Sequence, residues 1–263
     1  MTHRPPPASA SRYRLLKDND QLRELYSELG AGDLFIGRLR LHPSEENLLV
    51  DLQSRGVTLF PSGLAQLLCR SKVMQATVFG GEMLPETGVV HDRHELMLLL
   101  PRYQRQGITR VVTKLDRANA GLGIHLWGSL EEVFNQASLG GLPFPFVVQP
   151  FYEKCRDIRV VILGDYREAY WRDNPDNFRN NLHFGGQSSP AELNEAQLAL
   201  CHRVMARGAF PYAHLDLMVT ADQQSYLAEI NLRGGIRGAA ISPAEYRQRI
   251  ETIHQQFQAD LEL

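Results

Sequence analysis

The sequence predicts an α+β fold. Three observations carry that prediction. Up to residue 105, short windows of apolar residues at helical spacing alternate with brief apolar runs. Beyond Gly107 the texture turns to β-branched runs broken by Gly, Asn and Asp. In the C-terminal half, two pairs of such runs are joined by loops of only two and four residues, which requires antiparallel pairing rather than helical crossovers. A chain of 263 residues favours one large or two small domains. With 43% hydrophobic and 22% charged residues, the composition is that of a soluble globular protein. A net charge of −2 supplies no general field for nucleic acid or a membrane surface. The apolar run at 96–100 is far too short to span a bilayer. Cys69, Cys155 and Cys201 are odd in number and widely spaced, which argues against a disulfide framework or a cysteine zinc site and fits a reducing cytoplasm.

Taken in order, residues 1–12 are a Pro/Ser/Ala-rich lead without a signal-peptide apolar region. A helical pattern begins at Tyr13 and stops at Gly30, and a strand follows at 33–38. Pro43-Ser44-Glu45 opens a helix that ends at Gly56, before a strand at 57–60. Residues 13–70 therefore read as a short βαβ-like unit ahead of a domain at 71–263, itself divided into 71–146 and 147–263. Helices are expected at 71–84, ending near Gly80-Gly81, and at 92–105, punctuated by Pro101. Strands are expected at 108–115 and 124–127. Ser129 and Glu132 have capping-box spacing for a helix to about 138. Strands at 144–151, 157–163, 168–172, 213–220 and 225–231, with helices at 190–207 and 243–261, complete the chain.

The last two strands carry the strongest chemical signal. If Thr220 pairs with Ser225, Asp216 lies opposite Glu229 and His214 opposite Asn231, and all four project from one face. Two opposed carboxylates repel by roughly 0.2 to 1 kcal/mol. A cation between them relieves this, and Asp, Glu and Asn are hard oxygen ligands suited to Mg²⁺. A solvated polar face without metal is the alternative, and a one-residue slip would scatter the set.

Lys114 ends a strand and is followed by a loop containing Gly121 and Gly123, after which a strand resumes. A Walker loop has its lysine after the glycines, at a helix start. This order instead describes a hairpin flap able to approach an anion, or a simple turn. Gly164-Asp165 joins a second hairpin, which places Asp157 opposite Arg172 with Arg159 on the same face. The trio reads either as an ion pair or as a site where a surplus Arg meets an anionic ligand. The loop at 174–186 is dense in donors: Arg179, Asn180, Asn181 and His183.

In combination these segments resemble the ATP-grasp superfamily, most closely its RimK-like branch. The likeness runs from Ser71 to about Gly238, and any one segment is unspecific, but their order is shared. Ser71-Lys72 with Pro85-Glu86-Thr87 looks like the family's opening lysine segment. Lys114 to Gly123 matches its flap, Gln149-Pro150-Phe151 its adenine hinge, and Asp157-Ile158-Arg159 its Asp-Ile-Arg strand. Phe178-Arg179-Asn180-Asn181-Leu182-His183-Phe184-Gly185-Gly186 matches its polar loop, and Asp216, Glu229 and Asn231 its metal ligands. Pro150 replaces the usual hinge Glu, leaving a carbonyl there and an amide at Phe151. Phe184 stands where Arg is usual, and Leu232-Arg233-Gly234-Gly235 replaces a small-residue Pro-Gly segment.

The resemblance implies two α+β subdomains gripping ATP, and a carboxylate–amine ligase acting through an acyl phosphate. The cofactors are then ATP and Mg²⁺, with Mn²⁺ as a substitute. Lys72, Lys114, Gly121, Gly123, Gln149, Pro150, Phe151, Asp157, Arg179, Asn180 and Asn181 would bind ATP, and Arg159, Arg172 and Arg179 would act in catalysis. The partners expected are a small carboxylate and an amine, or a peptide or protein C-terminus, with self-association left open. Because Arg outnumbers what ATP requires, an acidic substrate is expected, met by His214, Arg233 and Arg237. A small-molecule kinase and a non-catalytic nucleotide-binding regulator are the rival readings.

Overall fold

Asp18 decides how the chain begins. Its carboxylate accepts from the amides of Asp20 and Gln21, at 2.9 and 3.0 Å, and its extended backbone caps helix α1 (Asn19–Leu25). Leu15 and Leu16, expected to be helical, therefore lie outside the helix as strand β1 (Leu15–Leu16). The computed structural model describes residues 13–118, 121–175, 177–178, 182 and 185–261. It divides into two units, 1–66 and 67–263.

In the first unit, β1 pairs in parallel with β2 (Leu34–Ile36), which pairs in parallel with β3 (Thr58–Phe60). Helix α2 (Asn47–Ser54) links the last two strands. The extra strand makes this a βαβαβ layer rather than a single βαβ. Leu16, Leu22, Phe35, Leu49, Leu52 and Leu59 form its buried core.

Helix α3 (Gly63–Leu68) carries the chain over the boundary, and α4 (Lys72–Phe79) opens the second unit. A four-stranded antiparallel sheet follows, in the order β4-β7-β5-β6. Its strands are β4 (Gly88–Val90), β5 (Val111–Leu115), β6 (Ile124–Trp127) and β7 (Phe146–Pro150). Helices α5 (Arg93–Arg105) and α6 (Leu130–Ser138) supply Leu96, Tyr103, Leu130 and Val133 to a core with Val111, Phe146 and Val148. Helix α5 runs through Pro101 because the carbonyl left without an N–H belongs to Met97, which is exposed and can meet water. Since β7 belongs to this sheet, the change of sheet comes after Pro150 rather than after residue 146.

The second sheet is five-stranded and antiparallel, in the order β10-β9-β8-β11-β12. Its strands are β8 (Arg156–Leu163), β9 (Tyr166–Asp173), β10 (Gln187–Pro190), β11 (Tyr212–Val219) and β12 (Ser225–Asn231). Helix α7 (Glu195–Arg207) starts later than expected. An Asn194–Gln197 capping box fixes its first turn, and the preceding residues 187–190 extend along β9 instead. Helix α8 (Pro243–Leu261) ends the described chain. The short strands β4 and β10 escape sequence reading because neither carries an alternating apolar pattern. Among the described residues, no helix is long and apolar enough to cross a membrane.

Candidate active site

On β8, β9, β11 and β12, side-chain alternation gathers the polar residues on one face of the five-stranded sheet. Tyr170, Arg159, Asp216 and Glu229 lie side by side in one cross-strand row, and Glu168, Val161, His214 and Asn231 in the next. The opposite face is apolar, with Ile158, Val160, Leu215, Leu217, Leu227 and Ile230 buried.

The expected pairs Asp216–Glu229 and His214–Asn231 form, but by another route. Ser225 pairs with Val219 rather than Thr220, and a bulge after Asp216 absorbs Ala228 and restores the register. Tyr226, which the expected register sets on the apolar face, consequently lies opposite Met218 on the polar one, and Leu227 lies on the apolar face opposite Leu217. The bulge has a second effect: the Ala228 carbonyl accepts from Lys114 Nζ at 3.4 Å.

Helix α4 is tied to the edge strand β12. The Gln75 side chain donates to the Ile230 carbonyl at 2.9 Å and accepts from its amide at 3.0 Å, completing an otherwise unpaired strand edge. Lys72, three residues earlier, brings Nζ to 3.5 Å from Glu229 Oε1 and 2.6 Å from the Ala118 carbonyl of the flap. Asp116 secures the flap from its other side, accepting from Ser71 Oγ at 2.8 Å and the Val73 amide at 3.1 Å. The flap is the hairpin between β5 and β6. Gly121 adopts φ +77°, and a Cβ on Gly123 would meet that of Ala118 at 2.4 Å. Gly123 therefore serves the packing of the loop itself.

The Asp157–Arg172 pair forms at 2.5 Å, as the hairpin predicts. The surplus Arg does not survive. Arg159 grips Asp216 through Nε and, at 3.0 Å, through Nη2, while Arg172 Nη2 reaches Asp216 Oδ2 at 3.0 Å. The sheet inserts Asp216 between two guanidiniums, so each is already neutralised, and Arg172 is buried rather than open to a ligand. Burial raises the Asp216 pKa, but Arg159 and Arg172 prevail and hold it at about 2. Burial and the Asp216 charge push Asp157 upward against Arg172. Desolvation lowers Lys114 to about 8, aided by Lys72 and opposed by Glu229.

His214, expected to meet substrate, is only 1% exposed. Its Nε2 lies 2.9 Å from the Tyr246 hydroxyl and its Nδ1 3.5 Å from Arg159 Nη1, so it cannot reach a ligand directly. Tyr246 is a residue that no sequence signal singled out. Arg233 is exposed, with no hydrogen bond or ion pair to another described residue, and Arg237 donates to the Leu182 carbonyl at 3.3 Å. At the hinge, Gln149 is buried and the Phe151 amide donates to the Arg110 carbonyl at 2.9 Å. That leaves Tyr152 as the next amide without a partner among the described residues. Arg179, Asn180, Asn181, His183 and Phe184 lie outside the described residues.

The donor set fits a hard divalent cation. Asn231 Nδ2 and Lys72 both turn to Glu229 Oε1, which leaves Glu229 Oε2 and Asn231 Oδ1 without hydrogen bonds among the described residues. Asp216 can add only the lone pairs that the guanidiniums leave. Among the described residues, no group of three His, Cys, Asp or Glu side chains converges into a metal site.

The RimK-like ATP-grasp domain matches residues 65–244. The ribosomal protein bS6–L-glutamate ligase of Escherichia fergusonii is 28% identical over 182 residues, covering 66% of this chain and 59% of that protein. The chain thus matches about three fifths of that relative's length. The D-alanine–D-alanine ligase of Coxiella burnetii superposes with a TM-score of 0.61 at 15% identity, over 88% of this chain and 72% of that one. The ATP-grasp ligase PsnB, complexed with a minimal precursor, Mg and ADP, superposes with a TM-score of 0.57 at 14% identity, over 84% and 77%. Both superpositions show the ATP-grasp fold. With the α4 lysine drawn to Glu229, the β5 lysine drawn to the neighbouring Ala228 carbonyl, and the domain match spanning both sheets of the second unit, the chain belongs to the RimK-like ATP-grasp family.

Proposed function

We propose that the chain is an ATP- and Mg²⁺-dependent carboxylate–amine ligase with an acidic amino acid or peptide as substrate. One observation carries this: Lys72 and Lys114, from α4 and β5, converge on the β12 segment that holds Glu229, beside Asp216 and Asn231. Two cations beside hard oxygen donors are what a polyphosphate with its divalent ion needs. ATP would supply the phosphoryl group that activates the substrate carboxylate as an acyl phosphate, leaving ADP, and the amine would then attack the acyl carbon and expel phosphate and a proton.

The residues of the chain divide that work. Glu229 and Asn231 would hold Mg²⁺ through their uncommitted oxygens, with Asp216 joining them. Lys72 and Lys114 would offset negative charge at the phosphates, and Arg159 lies in the same row. Gln149, Pro150 and Phe151 form the adenine hinge, with Asp157 nearer the ribose or phosphates. Because the Phe151 amide is committed to Arg110, the hinge donor is the Tyr152 amide. Gly121 lets the flap turn over the phosphates. Arg179, Asn180 and Asn181, outside the described residues, keep the ATP-binding role that the family likeness implies for them. The amine comes from an amino acid, a peptide or a protein terminus. The free cysteines fit the cytoplasm.

The test is ADP release from purified protein, measured with panels of acidic carboxylates and amines and followed by mass spectrometry of the products. ADP release that requires both substrates, with a product joined by loss of water, supports the ligase. Release without an amine, giving a stable phosphorylated product, would establish a kinase instead. No substrate-dependent release would favour a regulator.

A further inference from the structure

Helix α8 buries Tyr246, Ile250 and His254, which recur every four residues and share one side. Two of them meet the polar face of β11. His254 Nε2 lies 3.1 Å from the Tyr212 hydroxyl, and the Tyr246 hydroxyl lies 2.9 Å from His214 Nε2. Tyr212, His214 and Asp216 alternate along β11, so the helix engages the first two, and the third is the carboxylate of the candidate metal site.

The connection does not stop at His214. Arg159 Nη1 faces His214 Nδ1 at 3.5 Å, and the rest of the guanidinium is spent on Asp216. Guanidinium nitrogens only donate, so Nδ1 is the acceptor, and the imidazole proton sits on Nε2 and is donated to the Tyr246 oxygen. Gly234 closes the arrangement. A Cβ there would lie 2.7 Å from Arg159 Nη1 and 2.8 Å from His214 Nδ1, so the loop after Asn231 crosses directly against this pair.

We propose that Tyr246 and His214 are positioning residues that fix the orientation of the Arg159 guanidinium on Asp216, and thereby the lone pairs that Asp216 offers to Mg²⁺. The metal half rests on the ligase reading; the Arg159 half is a property of the folded chain alone. A guanidinium held at two edges cannot pivot about Asp216. Without the acceptor on His214 it is held at one edge only, and the direction of the Asp216 oxygens is left to Arg172.

The experiment uses the full chain with Tyr246→Phe, His214→Leu and His214→Asn. The amide oxygen of the Asn variant can take over the role of Nδ1. The Arg159 Nε–H resonance, assigned with Arg159→Lys, is followed by nitrogen-15 NMR for position and hydrogen exchange. Binding of Mn²⁺ in the presence of ADP is followed by electron paramagnetic resonance. Tyr246→Phe and His214→Leu are expected to speed Nε–H exchange and weaken Mn²⁺ by about fivefold or more, the equivalent of one lost hydrogen bond, with metal-free ADP binding changed by less than about twofold. His214→Asn is expected to recover most of both. Unchanged exchange in Tyr246→Phe and His214→Leu overturns the proposal. So does altered exchange with unchanged Mn²⁺ affinity, or an Asn variant as impaired as the Leu variant. If His214→Leu does not fold, Tyr246→Phe and His214→Asn decide. If the unmodified chain binds no Mn²⁺ with ADP, the ligase reading fails, and the NMR arm alone judges whether Tyr246 and His214 position Arg159.

Discussion

Lys72 and Glu229 stand 157 positions apart in sequence and 3.5 Å apart in the fold. The same ammonium holds the Ala118 carbonyl at 2.6 Å, so one cation joins the flap to the carboxylate row. A phosphate entering between them would compete with both contacts for the charge on Lys72.

Glu229 is the residue on which this arrangement turns. Its Oε2 is uncommitted, whereas Asp216 is held by two guanidiniums. Replacing Glu229 by Ala is expected to abolish ADP release while nucleotide binding falls by less than about tenfold, since the lysines remain in place. Turnover equal to that of the unmodified chain, measured at saturating Mg²⁺, would remove Glu229 from the site.

Lys114 predicts a pH dependence. Its folded-state pKa of about 8 lies below the ordinary value of 10.5 because its position is desolvated, with Lys72 contributing and Glu229 opposing. Between these two values the unfolded chain binds the extra proton and the folded chain does not. The stability contribution of this group therefore rises with pH from about 8 to 10.5. A bound polyphosphate restores the ammonium, so nucleotide binding near pH 8 should take up a proton, and affinity should fall as pH climbs above that value. Calorimetry in two buffers of different ionisation enthalpy measures the uptake. Lys114→Met should abolish it, and an absence of uptake in the unmodified chain would refute the assignment.

How much of this was legible in the sequence depends on how far apart the partners lie. Asp157 opposite Arg172 follows from alternation across a two-residue turn at Gly164, where φ is +64°, whereas Asp216 meets Glu229 only because a bulge offsets a turn that differs from the expected one. The bulge at Ala228 was not legible, because no sequence pattern marks an extra residue inside an apolar alternation. It compensated for a misplaced turn, so the carboxylate pair came out right while Tyr226 and Leu227 exchanged faces. The pairing of β8 with β11 joins strands about fifty residues apart, and nothing local signals that Asp216 falls between Arg159 and Arg172. The roles of Tyr246 and Gln75 are hidden for the same reason: each is defined by a strand distant in sequence.

Asp116 offers a test of how the flap is held. Its Oδ1 accepts from the Val73 amide in the first turn of α4 and from Ser71 Oγ, and its other oxygen meets Arg117. Asp116→Ala should cost about 1 kcal/mol in urea unfolding, the usual worth of a helix cap, because Ser71 still caps the Met74 amide. Hydrogen exchange at Val73 should accelerate in the same variant. Exchange that stays slow there would show that the flap is held by Lys72 alone.

The substrate prediction concerns the loop between Asn231 and α8. Glu168 on β9 fixes its far end, accepting from the amides of Ala240 and Ile241 and from the Tyr166 hydroxyl, the last at 2.7 Å. Gly234 is packed against Arg159 and His214, which fixes the near end beside the carboxylate row. Arg233, just before the near anchor, and Arg237, between the two, are exposed, whereas Arg172 is buried and doubly paired and drops out of the count of available cations. An acidic substrate is therefore expected to be held by Arg233 and Arg237. Arg233→Ala should raise the KM for that substrate by the equivalent of about 1.5 to 3 kcal/mol, the worth of a charge-assisted hydrogen bond, and leave the KM for ATP within about twofold. Arg237→Ala should act in the same direction but less, because part of its donor capacity already serves the Leu182 carbonyl. Glu168→Gln, which loosens the loop without touching either Arg, should raise the same constant and not the one for ATP. If the two Arg variants weaken ATP alone, or change neither constant, the acidic group is bound elsewhere on the sheet face.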